Sequence, residues 1–261
     1  VSTARESAGA PRVLVPRPAG RGQHLADLLS RAGLTPVLAP LIALEPPDPG
    51  SEDAATMQQA LGELADGAFD LLVVTSPAGA RSVADSRPQD TPAGTSRVPA
   101  TTRVVAVGPT TARTLAEAGI AVDLVADGSG RALVDALPPA PAAGSRVLLP
   151  VSAAAAPTVR EGLESAGYTV RQVAAYRPVP VDPAPEVRED LRAGTIAAMV
   201  LTSSMIARRA AALAPHPATR VVVIGAPTAR AARAAGLEVH AVADSPDDDS
   251  LAHAVIQVLT T

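Results

Sequence analysis

Arg103-Val-Val-Ala-Val-Gly108-Pro109-Thr-Thr-Ala-Arg113 is matched further along the chain by Arg220-Val-Val-Val-Ile-Gly225-Ala226-Pro-Thr-Ala-Arg230. Each is a β-branched apolar run that breaks at glycine and continues as a helical stretch, which is how a buried parallel strand feeding a helix reads. Working outward, Leu71-Leu-Val-Val-Thr-Ser76 recurs as Ala198-Met-Val-Leu-Thr-Ser203, and Arg12-Val-Leu-Val-Pro16 as Arg146-Val-Leu-Leu-Pro150. The order is kept in both halves and only the loops differ, so an internal repeat organises the chain. Gly33, Gly119, Gly167 and Gly236 each follow a last helical turn, where a left-handed cap is expected. Pro109 and Pro227 sit near helix starts, where a missing N–H costs nothing. The repeat therefore reads as an open, doubly wound α/β unit used twice.

Loops or linkers are expected at Pro46–Gly50, Ser86–Thr102 and Pro138–Gly144, all rich in Pro, Gly, Ser or Thr. Two extended, proline-punctuated segments, Pro36–Glu45 and Val170–Val181, each follow the first strand–helix unit of a copy. With 261 residues, 47% hydrophobic and 18% charged, the chain is globular and long enough to bury a core. No run approaches the roughly 18 apolar residues a bilayer crossing needs, so no membrane association is expected. The polar start from Val1 to Ala10 has no apolar signal core, and there are no cysteines; both suit the cytoplasm. All 22 basic residues are arginine, which excludes Schiff-base and Walker lysines. A net charge of −4 with two Tyr, one Phe and no Trp speaks against a nucleic-acid partner. Arginine in place of lysine, with abundant alanine and 26 prolines, reads as biased base composition rather than as an anion-binding signal.

In open parallel sheets, ligands bind beyond the carboxyl ends of the strands. Those turns are Pro16-Arg-Pro18, Thr75-Ser-Pro77, Gly108-Pro-Thr-Thr111, Pro150-Val-Ser152, Thr202-Ser-Ser204 and Gly225-Ala-Pro-Thr228. Free N–H groups at a helix start, with the positive dipole end, make an anion site without formal charge. Six such turns on two matched units fit a polyanion cleft. Alternatively, Thr75, Ser76, Thr111, Ser203 and Thr228 simply cap their helices. Arg17, Arg81, Arg113, Arg160, Arg177, Arg208 and Arg230 lie at or just past these turns, placed either to fork onto carboxylates or to face solvent.

Other motifs fail. Gly20-Arg-Gly22, with Glu45 downstream, has Leu25 where a dinucleotide fingerprint needs its third glycine, and Gly128-Ser-Gly130 fails the same way at Leu133. His24, His216, His240 and His253 lack metal-ligand spacing; His24 and His253 are expected on helices and the others in or near loops. Asp247-Asp-Asp249 suits the start of the last helix better than a calcium loop. No nucleophile elbow occurs. Tyr176, in Val173-Ala-Ala-Tyr-Arg-Pro178, is either a linker aromatic packed on proline or a phenol placed to donate a proton to a ligand.

The ordered set resembles the uroporphyrinogen-III synthase family from about Arg12 to Val258. It comprises Arg17 with Gln23 and Leu28, Thr75-Ser-Pro77, Val107-Gly-Pro-Thr-Thr-Ala-Arg113, Ala175-Tyr176, Thr202-Ser203, and Ile224-Gly-Ala-Pro-Thr-Ala-Arg230 with Ser245-Pro246. The chain departs from the family in its long Pro88–Thr102 loop and in the bland Ala153–Ala156 tract. The resemblance implies an α/β fold of two doubly wound, flavodoxin-like parallel-sheet domains joined by a two-stranded linker. The N-terminal strand–helix unit would complete the C-terminal domain. The expected domains are residues 1–37 with 178–261, and 46–170, with linker strands at 38–45 and 171–177. The implied activity closes the linear tetrapyrrole hydroxymethylbilane into a macrocycle, inverting its last ring and losing water, with no cofactor and no metal. Tyr176 would be catalytic. Arg17, Thr75, Ser76, Gly108, Thr110, Thr111, Ser152, Thr202, Ser203, Ser204, Gly225 and Thr228 would bind substrate, in a monomer. Two rival readings remain at this point: a two-domain clamshell for a small anionic solute, and a nucleotide-dependent α/β enzyme.

Overall fold

A computed structural model describes residues 9–85, 98–126, 130–142 and 144–260. The first eight residues, most of the Ser86–Thr102 loop and the Gly128-Ser129 pair fall outside them. The chain divides into two compact units, Val1–Ala43 with Val179–Thr261, and Leu44–Pro178.

The first unit opens with β1 (Arg12–Val15), α1 (Gln23–Arg31) and β2 (Thr35–Leu38), and β3 (Ile42–Glu45) carries the chain into the second. There follow α2 (Glu52–Ala65), β4 (Leu71–Val74), α3 (Pro77–Asp85), β5 (Arg103–Val107), α4 (Pro109–Glu117) and β6 (Leu124–Ala126). Next come α5 (Gly130–Ala136), β7 (Arg146–Ser152) and α6 (Thr158–Ser165). β8 (Thr169–Pro180) leads back into the first unit. That unit is completed by α7 (Pro185–Ala193), β9 (Ile196–Leu201), α8 (Ser204–Ala212), β10 (Arg220–Val223), α9 (Ala226–Ala234), β11 (Ala241–Val242) and α10 (Asp248–Thr260).

The first unit's sheet runs β11-β10-β9-β1-β2, and every neighbouring pair is parallel. The second runs β3-β8-β7-β4-β5-β6, parallel from β7 to β6 and between β7 and β8. Numbered within each repeat copy, both sheets contain the flavodoxin-like order 2-1-3-4-5, to which the second adds β3 at its edge beside β8. Each takes strands 1 and 2 from one copy and strands 3 to 5 from the other. The N-terminal strand–helix unit thus completes the C-terminal sheet, as expected. β8 differs from a free linker strand: Thr169 to Tyr176 pair with β7 along its whole length. Leu38, placed in the linker by its sequence, pairs with Val15 in the first sheet.

Alternation along the strands buries both faces of each sheet. In the second unit, Leu72, Val74, Val104, Ala106 and Leu148 pack with Met57, Leu64, Val83 and Leu115 of α2, α3 and α4. Leu71, Val73, Val105, Val147 and Leu149 face the other way, onto Leu133 of α5 and Leu163 of α6. In the first, Val13, Val15, Val200 and Val222 pack on Leu25 and Leu29 of α1 and Leu251 and Val255 of α10. The four capping glycines all have positive φ, between 76° and 91°, so a side chain there would be strained. Among the described residues, no helix is long and apolar enough to cross a membrane.

Arg12, at the start of β1, pairs with Asp190 of α7 at 2.8 Å, and Thr195 donates to the same carboxylate at 2.8 Å. The Thr195 hydroxyl and the Arg12 guanidinium hold the Asp190 carboxyl below its ordinary value of 3.8. A depressed carboxyl stabilises the fold above its unfolded pKa and loses that contribution as pH falls through the native value. Asp190→Asn should therefore unfold more easily than the parent at neutral pH, with the difference shrinking as urea midpoints are followed below pH 3.8.

Candidate functional site at the carboxyl edges of the two sheets

Parallel strands end together, so each sheet gathers its strand-to-helix turns along one edge. The strand order reverses between β1 and β9 in the first unit and between β7 and β4 in the second, which is where such sheets take ligands.

In the second unit, Thr75 and Ser76 follow the end of β4. The Ser76 hydroxyl accepts the Gly79 N–H at 3.1 Å, capping α3, and stands 3.0 Å from the Tyr176 hydroxyl. Tyr176 owes its aim to a bulge. Val151 pairs with Ala174 but Ser152 with Tyr176, so Ala175 is an extra residue that turns the next side chain. The bulge is tied on both sides: Ser82 of α3 donates to the Ala175 carbonyl at 2.8 Å, and the Ala153 N–H to the Tyr176 carbonyl at 2.8 Å. Ser152 accepts the Ala154 N–H at 3.2 Å. Beyond β5, Gly108 has φ +79° ahead of Pro109, which explains glycine there by backbone conformation. Thr110 is exposed.

In the first unit, Arg17 beyond β1 makes a 2.6 Å ion pair with Asp248 in the first turn of α10 and donates to the Arg21 carbonyl at 3.2 Å. His24 approaches the same carboxylate at 3.2 Å. Beyond β9, Ser203 caps α8 by accepting the Ile206 N–H at 3.2 Å. Ser204 donates to the Pro227 carbonyl in the β10 turn at 3.4 Å, and Thr202 is half-buried beside them. Gly225 is extended, with φ 173°, so backbone conformation alone does not demand glycine.

Two expectations are corrected. Thr111 and Thr228 are third residues of their helices, only 2% and 4% exposed, so neither stands at a cap position. The capping alternative holds for Ser76 and Ser203. Several arginines are paired within the chain: Arg160 with Glu164, Arg177 with Glu45 and Asp48, Arg17 with Asp248. Arg81, Arg113, Arg208 and Arg230 are exposed and make no ion pair among the described residues. Asp247 caps α10 through the Ser250 N–H at 2.8 Å. His24 and His253 lie on helices as expected, while His216 and His240 accept the backbone N–H groups of Ala218 and Val221, both at 3.1 Å. Among the described residues, no cluster of three acidic or histidine side chains could hold a metal ion.

The family profile described as uroporphyrinogen-III synthase HemD matches residues 23–253, crossing both units. The chain belongs to the uroporphyrinogen-III synthase family. A curated relative from Methanothermobacter thermautotrophicus, whose name assigns it provisionally to these synthases, is 30% identical over 195 residues, 73% of each chain. A mutant uroporphyrinogen III synthase from Thermus thermophilus aligns with TM-score 0.52 at 24% identity, covering 96% of this chain and 99% of its own. The Helicobacter pylori uroporphyrinogen-III synthetase aligns with TM-score 0.59 at 13% identity, covering 95% and 99%. At those identities the two structures attest the fold. Family membership sets aside the clamshell and nucleotide readings.

In this synthase-family chain, sequence reasoning missed Ser82 and read Asp248 only as part of an acidic helix start; their partners lie 93 and 231 positions away. A serine three residues before a glycine N–H is a recognisable cap; a serine reaching a bulged strand is not. The two adjacent serines of the β9 turn separate capping from other roles. Ser203→Ala should lose about 1 kcal/mol of stability, the usual worth of a serine cap. Ser204→Ala should stay within about 0.5 kcal/mol of the parent in urea denaturation.

Proposed function

We propose that this chain is a uroporphyrinogen-III synthase, cyclising hydroxymethylbilane to uroporphyrinogen III with inversion of the last pyrrole ring and loss of water. The supporting observation is the family match, which takes in both carboxyl edges with their hydroxyl-bearing turns. The substrate carries an acetate and a propionate on each of four rings, so it needs many distributed donors. Helix-start N–H groups supply them without a large positive charge, which reconciles a polyanionic ligand with a net charge of −4. Among the predicted binding residues, Thr75, Gly108, Thr110, Ser152, Thr202, Ser203, Ser204 and Gly225 remain in that role, while the Ser76 hydroxyl faces Tyr176. Arg17 joins them through a guanidinium already oriented by Asp248.

The chemistry starts as the terminal hydroxyl leaves. Its C–O bonding pair goes to oxygen while the pyrrole nitrogen lone pair fills the exocyclic carbon, giving an azafulvenium. Tyr176 assists by donating its phenolic proton to the departing oxygen. The last ring then attacks through its substituted carbon, the spiro intermediate opens and recloses with the ring turned over, and the carbon proton lost at re-aromatisation restores the phenol. The open chain also closes unaided to the uninverted isomer, so the enzyme's main contribution is holding ring geometry. The enzyme acts as a cytoplasmic monomer in this reading, with no cofactor.

The deciding assay supplies hydroxymethylbilane, oxidises the products and separates the type I and type III porphyrins. The type III isomer should dominate only with the protein present; type I alone would end the proposal. Tyr176→Phe should slow turnover on the order of tenfold, less than a general acid usually supplies because the hydroxyl departs unaided. Unchanged turnover would remove the donor role and leave the positioning claim standing.

A further inference from the structure

We infer that Ser76 is a positioning residue that directs the Tyr176 hydroxyl, donating its own proton to the phenol oxygen so that the phenol proton is left for the ligand. The inference rests on the proposed synthase reading for its ligand and on the geometry for its direction. A serine hydroxyl has one proton and two lone pairs, and a tyrosine hydroxyl has one proton to give. At Ser76 one lone pair is taken by the Gly79 N–H at 3.1 Å, and the Tyr176 oxygen lies at 3.0 Å. Among the described residues, neither hydroxyl has another hydrogen-bond partner.

Two arrangements exist. If Tyr176 donated to Ser76, the phenol proton would be spent inside the protein and Tyr176 could only accept from a ligand. If Ser76 donates, the phenol proton is free. Accepting the Gly79 amide favours the second arrangement, because a hydroxyl that accepts one hydrogen bond becomes a stronger donor in the next. The Gly79 N–H is one of the unpaired donors at the start of α3, so the polarisation originates at the positive end of that helix. The same Ser76 proton stabilises the phenolate that forms when Tyr176 gives its proton to the departing hydroxyl. The bulge and its two tied carbonyls keep the phenol oxygen within reach.

Because Ser76 also caps α3, a lone Ser76→Ala variant would confuse lost capping with lost direction, and a double-mutant cycle separates them. Ser76→Ala should lower kcat about as far as Tyr176→Phe, with KM changed less than twofold, and Ser76→Thr should restore most of kcat. Added to Tyr176→Phe, Ser76→Ala should cost nothing more in kcat, because no phenol proton remains to be directed. The inference is overturned if Ser76→Ala leaves kcat intact, or if its cost is the same in both backgrounds.

A second measurement needs no turnover, so it stands even if no type III isomer forms. The chain's other tyrosine, Tyr168, donates to the Pro138 carbonyl at 3.1 Å. In a Tyr168→Phe background, the tyrosine Fermi doublet in ultraviolet resonance Raman spectra reports Tyr176 alone. An acceptor-type intensity ratio that Ser76→Ala abolishes is the expected result. A donor-type ratio would show that Tyr176 gives its proton to Ser76 and would overturn the inference.

Discussion

In each unit the carboxyl edge depends on a strand pairing that crosses between the repeat copies. β1 lies against β9, and β7 against β4, in parallel register. Neither copy could form its sheet from its own strands in this structure, because its strands 1 and 2 and its strands 3 to 5 belong to different units. The reversal in strand order falls on the crossed pairing, so the turns flanking each switch point come from different halves of the chain. Arg17 of the first copy thus shares an edge with Ser203 of the second, and Ser76 of the first with Tyr176 of the second. The hydroxyl pair exists only because the copies exchange.

Much of this was legible in the sequence. Strands buried on both faces must be continuous β-branched runs, and helices stopping at left-handed glycines announce their ends. The repeat then supplies the alignment of one half on the other. The structure extends that correspondence to residues the repeat motifs did not include: Thr102 and Thr219, each just before an arginine that starts a strand, are 4% and 3% exposed and donate to the Phe69 and Ile196 carbonyls. What could not be read depends on the third dimension. The bulge at Ala175 is one unpaired residue in a strand whose pattern looks ordinary. The inward turn of Thr111 and Thr228 is a matter of helix phase against the sheet. The pairing of Arg17 with Asp248 joins opposite ends of the chain, and no local pattern encodes it.

Charge is deployed by subtraction. Of the arginines near the turns, Arg17, Arg160 and Arg177 are neutralised by carboxylates of the chain itself. The pair at Arg17, with side chains 13% and 19% exposed, lies in the most protected surroundings of the three. A guanidinium held by one carboxylate keeps part of its donor fork for a second, so pairing orients it without exhausting it. On the proposed reading, amide donors at helix starts are what a polycarboxylate would meet in a protein that is acidic overall.

The two units share their topology but differ where the chemistry would occur. Ser76 and Ser203 are equivalent in the repeat, and each caps the helix that follows strand 3. Counted from the equivalent glycines Gly33 and Gly167, the position of Tyr176 is occupied in the first copy by Ile42, which is 3% exposed. The divergence begins in the strand: β2 stops pairing with β1 at Leu38, while β8 follows β7 to Ser152 and bulges on the way. Capping accounts for a serine in both units, so it does not explain why only one unit sets a phenol against that serine. A duplicated fold with hydroxyl-bearing turns in both halves and a phenol in only one would, on the proposed reading, suit a substrate with many equivalent carboxylates and a single departing hydroxyl.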